Sequence, residues 1–138
     1  MTPTPVVVSP DPYAPFRLSQ GFRVGDLLFI SGQTGIDDAG RLVGNDFERQ
    51  AAQAFRNLER ALRAGGSSLA QVVKVTIFLR DMANFSRIVE LRGRYFTPPY
   101  PADTIVEVSS LYSPEALLDI EAIAVADGTT GRGTGQAE

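Results

Sequence analysis

Five runs of the chain read as strands, from alternating to almost continuous apolar residues, and two longer runs place apolar residues every three to four. Period two marks a strand with one buried face, and the longer period marks one stripe of a helix. The strand-like runs are Arg17–Val24, Leu27–Gln33, Gln71–Leu79, Thr104–Val108 and Leu117–Val125. The first two meet at Gly25-Asp26, a pair that suits a two-residue hairpin turn. Gln71–Leu79 is almost continuously apolar, which predicts a central strand covered on both faces. Thr104–Val108 and Leu117–Val125 flank a Ser- and Pro-containing insert, which predicts a hairpin. A short edge strand is expected at Val6–Val8, inside a proline-rich extended arm over residues 1–15.

The first helix is expected to start at Asn45, an N-cap with Glu48 completing a capping box, and to end at Ala64 before Gly65-Gly66. Phe47, Ala51, Ala54, Leu58, Ala61 and Leu62 form its apolar stripe. The second helix is expected over Asn84–Phe96, with Phe85, Ile88, Leu91 and Tyr95 on one side. The order β-β-α-β-α-β-β predicts one α+β domain over residues 16–126, with both helices on one face of a mixed sheet. The Gly/Thr-rich residues 127–138 are expected to be disordered. Two helices do not cover both faces of such a sheet, so self-association is expected.

Two acids interrupt this pattern. Glu107 sits in the fourth strand-like run and Glu121 in the fifth, among Ile120, Ala122, Ile123 and Ala124. A carboxylate in an apolar strand is costly unless it is paired, solvated or placed at a site that uses it. For Glu121 the solvent-facing and site readings stay open at this point, because its same-face neighbours Ile123 and Val125 are apolar.

Composition narrows the chemistry. The chain has no Cys, His or Trp and a single Lys, Lys74. That excludes a Cys nucleophile, a His base, disulfides and any His/Cys metal site. Acid–base work falls to a carboxylate, a Tyr, a water or Lys74. A formal net charge of −3 argues against a nucleic-acid partner. No run reaches the roughly 18 apolar residues of a membrane span. The first residues show no basic-then-apolar leader, so a cytoplasmic protein without membrane contacts is expected.

The segments SQGFRVGDLLFISGQTGID, VVKVTIFLRDMANF and PADTIVEV followed by LDIEAIAV resemble the RidA/YjgF family of enamine/imine deaminases, from about Phe16 to Val125. The resemblance implies a chorismate-mutase-like α+β fold and a homotrimer with clefts between subunits. It also implies cofactor-free hydrolysis of reactive enamines and imines, such as 2-aminoacrylate, to keto acids and ammonia. Residue by residue, it gives Glu121 the role of water-orienting glutamate, places Ser31 and Gly32 in the segment lining the cleft, and puts Thr104 where the family often has Ser.

Four positions depart from the family's pattern. Asp103 stands where a carboxylate-binding Arg is expected, Ile105 where a Cys is found, Leu18 in place of a Tyr, and Val89 in place of an Asn. Asp103 is therefore expected in the substrate pocket, where a like charge would make 2-aminoacrylate a poor substrate. Arg17 and Arg92 are the candidates for a replacement cation, each weighed against an ordinary surface role, and Tyr112 for a wall of the cleft. Lys74 is expected to be solvated, and Glu107 to be structural. The expected activity is hydrolysis of a small C=N metabolite. The alternative is a trimer that binds such a metabolite without turning it over.

Overall fold

The computed structural model describes residues 1–127; the expected disorder of the tail falls almost entirely outside them. Six strands form one sheet: β1 (Thr4–Pro5), β2 (Gly21–Val24), β3 (Leu27–Gln33), β4 (Val72–Leu79), β5 (Ala102–Glu107) and β6 (Leu118–Val125). Two helices, α1 (Phe47–Ala64) and α2 (Phe85–Tyr95), complete the α+β architecture. The strand order is β1-β2-β3-β6-β4-β5, antiparallel throughout except for the parallel pair β4–β5.

The β2–β3 hairpin turns at Gly25-Asp26 as expected, with Gly25 at φ 61°, a left-handed conformation open to glycine at little cost. β5 and β6 are not a hairpin. β4 lies between them, and its end is gripped from both sides: Val108 N donates to Leu79 O, and Arg80 N donates to Leu117 O. The helix between β4 and β5 supplies the reason, since two strands joined through a helical crossover pair in parallel. That places β5 at the edge and leaves residues 108–117 to cross the end of β4.

The edge strand also lies earlier than expected. Thr4 and Pro5 make the ladder with Arg23 and Phe22, while Val6 and Val8 are buried and Val7 points outward. The α1 cap is Asp46 rather than Asn45, its carboxylate accepting from Arg49 N at 3.1 Å. Glu48 is thus the second helical residue, one position short of a capping box.

One core holds the layers together. The predicted α1 stripe is buried, together with Phe55 and Gln50, and packs against Leu28, Ile30, Ile77, Leu79, Leu118 and Ile120 from the sheet. Ile88 and Leu91 join it from α2, whereas Phe85 stays 42% exposed. Phe55 stacks on Tyr95 with ring centroids 4.3 Å apart.

The expectation that β4 is covered on both faces fails in the single chain. Val72, Val75, Ile77 and Leu79 face the helices, while Thr76 and Phe78 lie on a face that neither α1 nor α2 covers. Phe22, Leu27, Phe29, Val106 and Val125 share that open face and are each more than a third exposed. Among the described residues no helix is long and apolar enough to cross a membrane.

Candidate functional site

Two residues of β3, Ser31 and Gly32, stand opposite one residue of β6, Glu121, because the register shifts between Ile30 and Gln33. This is a β-bulge, which bends a strand end and re-aims its groups. The glycine is needed there. A Cβ on Gly32 would overlap the carboxylate of Asp119, which sits against the Gly32 backbone. Asp119 is two residues before Glu121 and shares its face of β6.

Around Asp119 lies a depression of about 240 Å³, walled by Tyr13, Phe16, Leu18, Gly32, Thr34, Ile36 and Tyr112. Each wall is fixed by ordinary bonding. The arm is tied down through Asp11, whose Oδ1 accepts from Tyr13 N at 2.9 Å and from Gln20 Nε2 at 2.8 Å. The Tyr13 hydroxyl donates to Gly32 O at 2.5 Å, bringing the arm to the bulge. Thr34 Oγ1 donates to Leu118 O at 3.0 Å, and Asn57 of α1 donates to the carbonyls of Thr34 and Ile36. Phe16 meets Tyr112 edge-to-face at 6.2 Å. Gln50, fully buried, holds the crossing segment: its Nε2 donates to Gly44 O and Glu115 O, and its Oε1 accepts from Leu117 N.

The electrostatics single out one group. Burial, and then the charge of Glu121, push the Asp119 carboxyl from 3.8 up to about 6, against a smaller opposing effect of the Ile120 backbone N–H. One of its oxygens is buried without a hydrogen-bond partner, so its charge is poorly compensated. Burial and the Asp119 charge likewise raise both Tyr13 and Tyr112 above the usual tyrosine range, which keeps their hydroxyls protonated. A carboxyl that titrates near neutrality in an apolar hollow is equipped to exchange a proton with a ligand.

The residues singled out from the sequence are distributed over three places. Gly32, Leu18 and Tyr112 line the Asp119 depression. Ser31 is beside it, its hydroxyl donating to Ser19 O. Glu121 is exposed on the open sheet face, opposite Thr76, in a second hollow with Phe29, Lys74 and Ile123. Thr104 shares that face and accepts from Lys74 Nζ at 2.8 Å, so Lys74 is engaged there rather than freely solvated.

Asp103 points to the opposite, helix-facing side. It pairs with Arg92 Nε at 2.9 Å, and both side chains are largely buried. The parity of β5 explains this: Asp103 pairs across from Val75, which faces the helices. In the single chain Asp103 therefore offers no free charge to either hollow, and Arg92 no free cation. Glu107, on the same side, accepts from Met82 N, a structural role as expected. Val89 is exposed on α2, and Arg17 is exposed at a left-handed turn, φ 60°; neither lines the two hollows.

Sequence reasoning missed Asp119, Tyr13, Phe16, Thr34 and Ile36. The available signal was LDIEAIAV itself, in which two acids share one strand face, with Gly32 as the backbone position able to lie against one of them.

The comparisons with known proteins agree with this fold. Residues 8–126 match the family model described as Endoribonuclease L-PSP. A RutC family protein of Pyrococcus horikoshii is 41% identical over 84% of this chain and 90% of its own length. A protein of Dermatophagoides farinae named 2-iminobutanoate/2-iminopropanoate deaminase is 34% identical over 86% of this chain and 91% of its own. Among solved structures, the yeast protein YEO7 superposes with a TM-score of 0.85 at 34% identity, covering 91% of this chain and 100% of that one. A Rid family protein of Yersinia pestis gives 0.84 at 33% identity, with the same coverage. By matched length, by identity and by fold, the chain belongs to the RidA/YjgF family.

Proposed function

We propose that the protein hydrolyses the C=N bond of a small imine in the depression around Asp119. The observation that carries this is a single carboxyl, one oxygen of it buried without a partner, inside an apolar hollow and beside a backbone that only glycine allows to come so close. Two relatives support the choice of reaction, one named Reactive Intermediate Deaminase A and one named for 2-imino acids.

The steps balance around one proton. The Asp119 carboxylate takes a proton from water as the water oxygen bonds the carbon of the N-protonated imine, giving a neutral carbinolamine. The carboxyl then returns that proton to nitrogen. The nitrogen leaves as ammonia while the remaining O–H gives its proton back to the Asp119 carboxylate and the carbonyl forms; the carboxyl passes that proton to the ammonia, which departs as ammonium. Tyr112, protonated at the mouth, is placed to donate to the nitrogen or the oxygen, and the apolar walls limit how much water competes. Glu121, on the same strand face, acts through its charge, which raises Asp119. The test is ammonia release from a panel of imines, with the Asp119→Asn protein as the control.

We further infer that the working unit is an oligomer, a trimer by family likeness, with the open sheet face covered by copies of the same chain. Phe22, Leu27, Phe29 and Val125 cluster on that face, with Val106 further along it on β5, and exposed apolar patches of this kind mark interfaces. Light scattering at micromolar concentration is expected to find a mass about three times that of the chain; a monomer contradicts the reading.

A further inference from the structure

Of the three aromatic residues that wall the Asp119 hollow, Phe16 and Tyr112 are each 53% exposed, whereas Tyr13 is 6% exposed. Tyr13 stands at the head of a tight turn in the arm. Asp11 Oδ1 accepts from its backbone N–H, Phe16 N donates to its carbonyl, and Arg17 closes the turn at φ 60°. The side chain runs inward from this turn, and its hydroxyl donates to Gly32 O. Burial and the Asp119 charge hold that hydroxyl protonated. Its proton is committed to the carbonyl, so Tyr13 is not the acid of the reaction.

The acceptor decides what this bond does. Gly32 belongs to the bulge, where the ladder is interrupted and the backbone needs other ties. A Cβ on Gly32 would lie 2.3 Å from Asp119 Oδ1, so the bulge backbone rests directly against that oxygen. Oδ1 is also the carboxyl atom that is buried without a hydrogen-bond partner. The same few atoms therefore place the carboxyl and keep water off it. All of these contacts lie within one chain, and no partner copy is needed to make them. We infer that Tyr13 is a positioning residue for the reaction: its hydroxyl pins the Ser31-Gly32 bulge, and the pinned bulge fixes the Asp119 carboxyl. The inference rests on the imine-hydrolase reading and adds to it a residue that acts through Gly32. A tyrosine that only filled the core would contribute to stability and leave the behaviour of the carboxyl alone.

The test compares Tyr13→Phe, which keeps the ring and removes the hydroxyl, with Asp11→Ala, which loosens the turn from outside the hollow. Displacing a reacting group by about an ångström costs up to roughly 100-fold in rate, so kcat per folded enzyme should fall about tenfold or more in Tyr13→Phe. KM should stay near the wild-type value, because the ring still forms the wall. Water that reaches Oδ1 should move the inflection of the pH–rate profile toward the ordinary aspartate value, by about half a pH unit or more. NMR titration of the Asp119 carboxyl carbon, assigned with Asp119→Asn, should show the same shift without any substrate. Asp11→Ala should move both readouts in the same direction by less. A lower unfolding midpoint with kcat, KM and inflection unchanged makes Tyr13 a core residue only and overturns the inference. A raised KM with unchanged kcat makes it a substrate contact and overturns it as well. If the wild type hydrolyses no imine in the panel, the hydrolase reading fails. The NMR shift in Tyr13→Phe then upholds the positioning of Asp119, and its absence overturns it.

Discussion

Asp119→Asn is expected to lose most of the imine-hydrolase rate and to gain stability in the same substitution. The amide keeps the shape against Gly32 but does not take a proton from water. Positioned acid–base groups contribute about 10²–10⁴-fold, and a loss of that size is expected in kcat/KM. The stability gain follows from the raised carboxyl. The folded protein holds the Asp119 proton up to about pH 6, whereas the unfolded chain holds it only to about 4. Between these values the wild-type fold loses stability as pH rises, because the folded state binds more protons than the unfolded one. A shift of roughly two units corresponds to about 3 kcal/mol at pH 7, an upper figure that the asparagine does not incur. Urea unfolding of both proteins at equal concentration should show the variant more stable at pH 7 and the two converging below about pH 4. A variant that is less stable at pH 7 contradicts the account of the carboxyl.

The second large effect concerns Gln50, which touches no ligand. Gln50→Ala is expected to cost about 3 kcal/mol. Three partly buried backbone groups, Gly44 O, Glu115 O and Leu117 N, lose their partner at once, and leaving such a group unpaired costs up to roughly 1–3 kcal/mol when no water reaches it. Water entering the vacated space keeps the sum below the maximum. The same change releases residues 108–117, which carry Tyr112 to the hollow, so kcat/KM should fall together with the unfolding midpoint. A variant with wild-type stability would show that the crossing segment is held by something else.

The elements were legible in the sequence to the extent that they follow local periodicity. The α1 stripe, the Gly25-Asp26 turn and the alternation of β6 depend on neighbours in the chain, and each forms where the pattern puts it. Pairing was less accessible. The insert between β5 and β6 has the composition of a hairpin loop, yet β4 occupies the space between those strands. Strand order depends on which edges are free once the α2 crossover has set β5 beside β4, and no local run encodes that.

The site shows the same division. Only the resemblance puts Ser31 and Gly32 at the cleft, and the close contact of Gly32 with Asp119 is fixed by a bulge that no residue type announces. Glu121 stood out because it interrupts the most apolar stretch. Asp119 is the second residue of β6, and only the arm and the crossing segment that fold over it set it apart. Asp103 was placed by motif position, whereas the parity of β5 turns it to Arg92.

The most direct test of the central claim is the pH dependence of kcat/KM for imine hydrolysis in the wild type and in Glu121→Gln. With the Asp119 carboxylate as the working base, kcat/KM should rise through an inflection near pH 6 and then level off. Removing the Glu121 charge should leave the plateau largely intact and move the inflection to lower pH, because that charge helps to raise Asp119. Loss of the plateau in Glu121→Gln, with Asp119→Asn still active, would place the chemistry in the second hollow, around Glu121, and contradict the account.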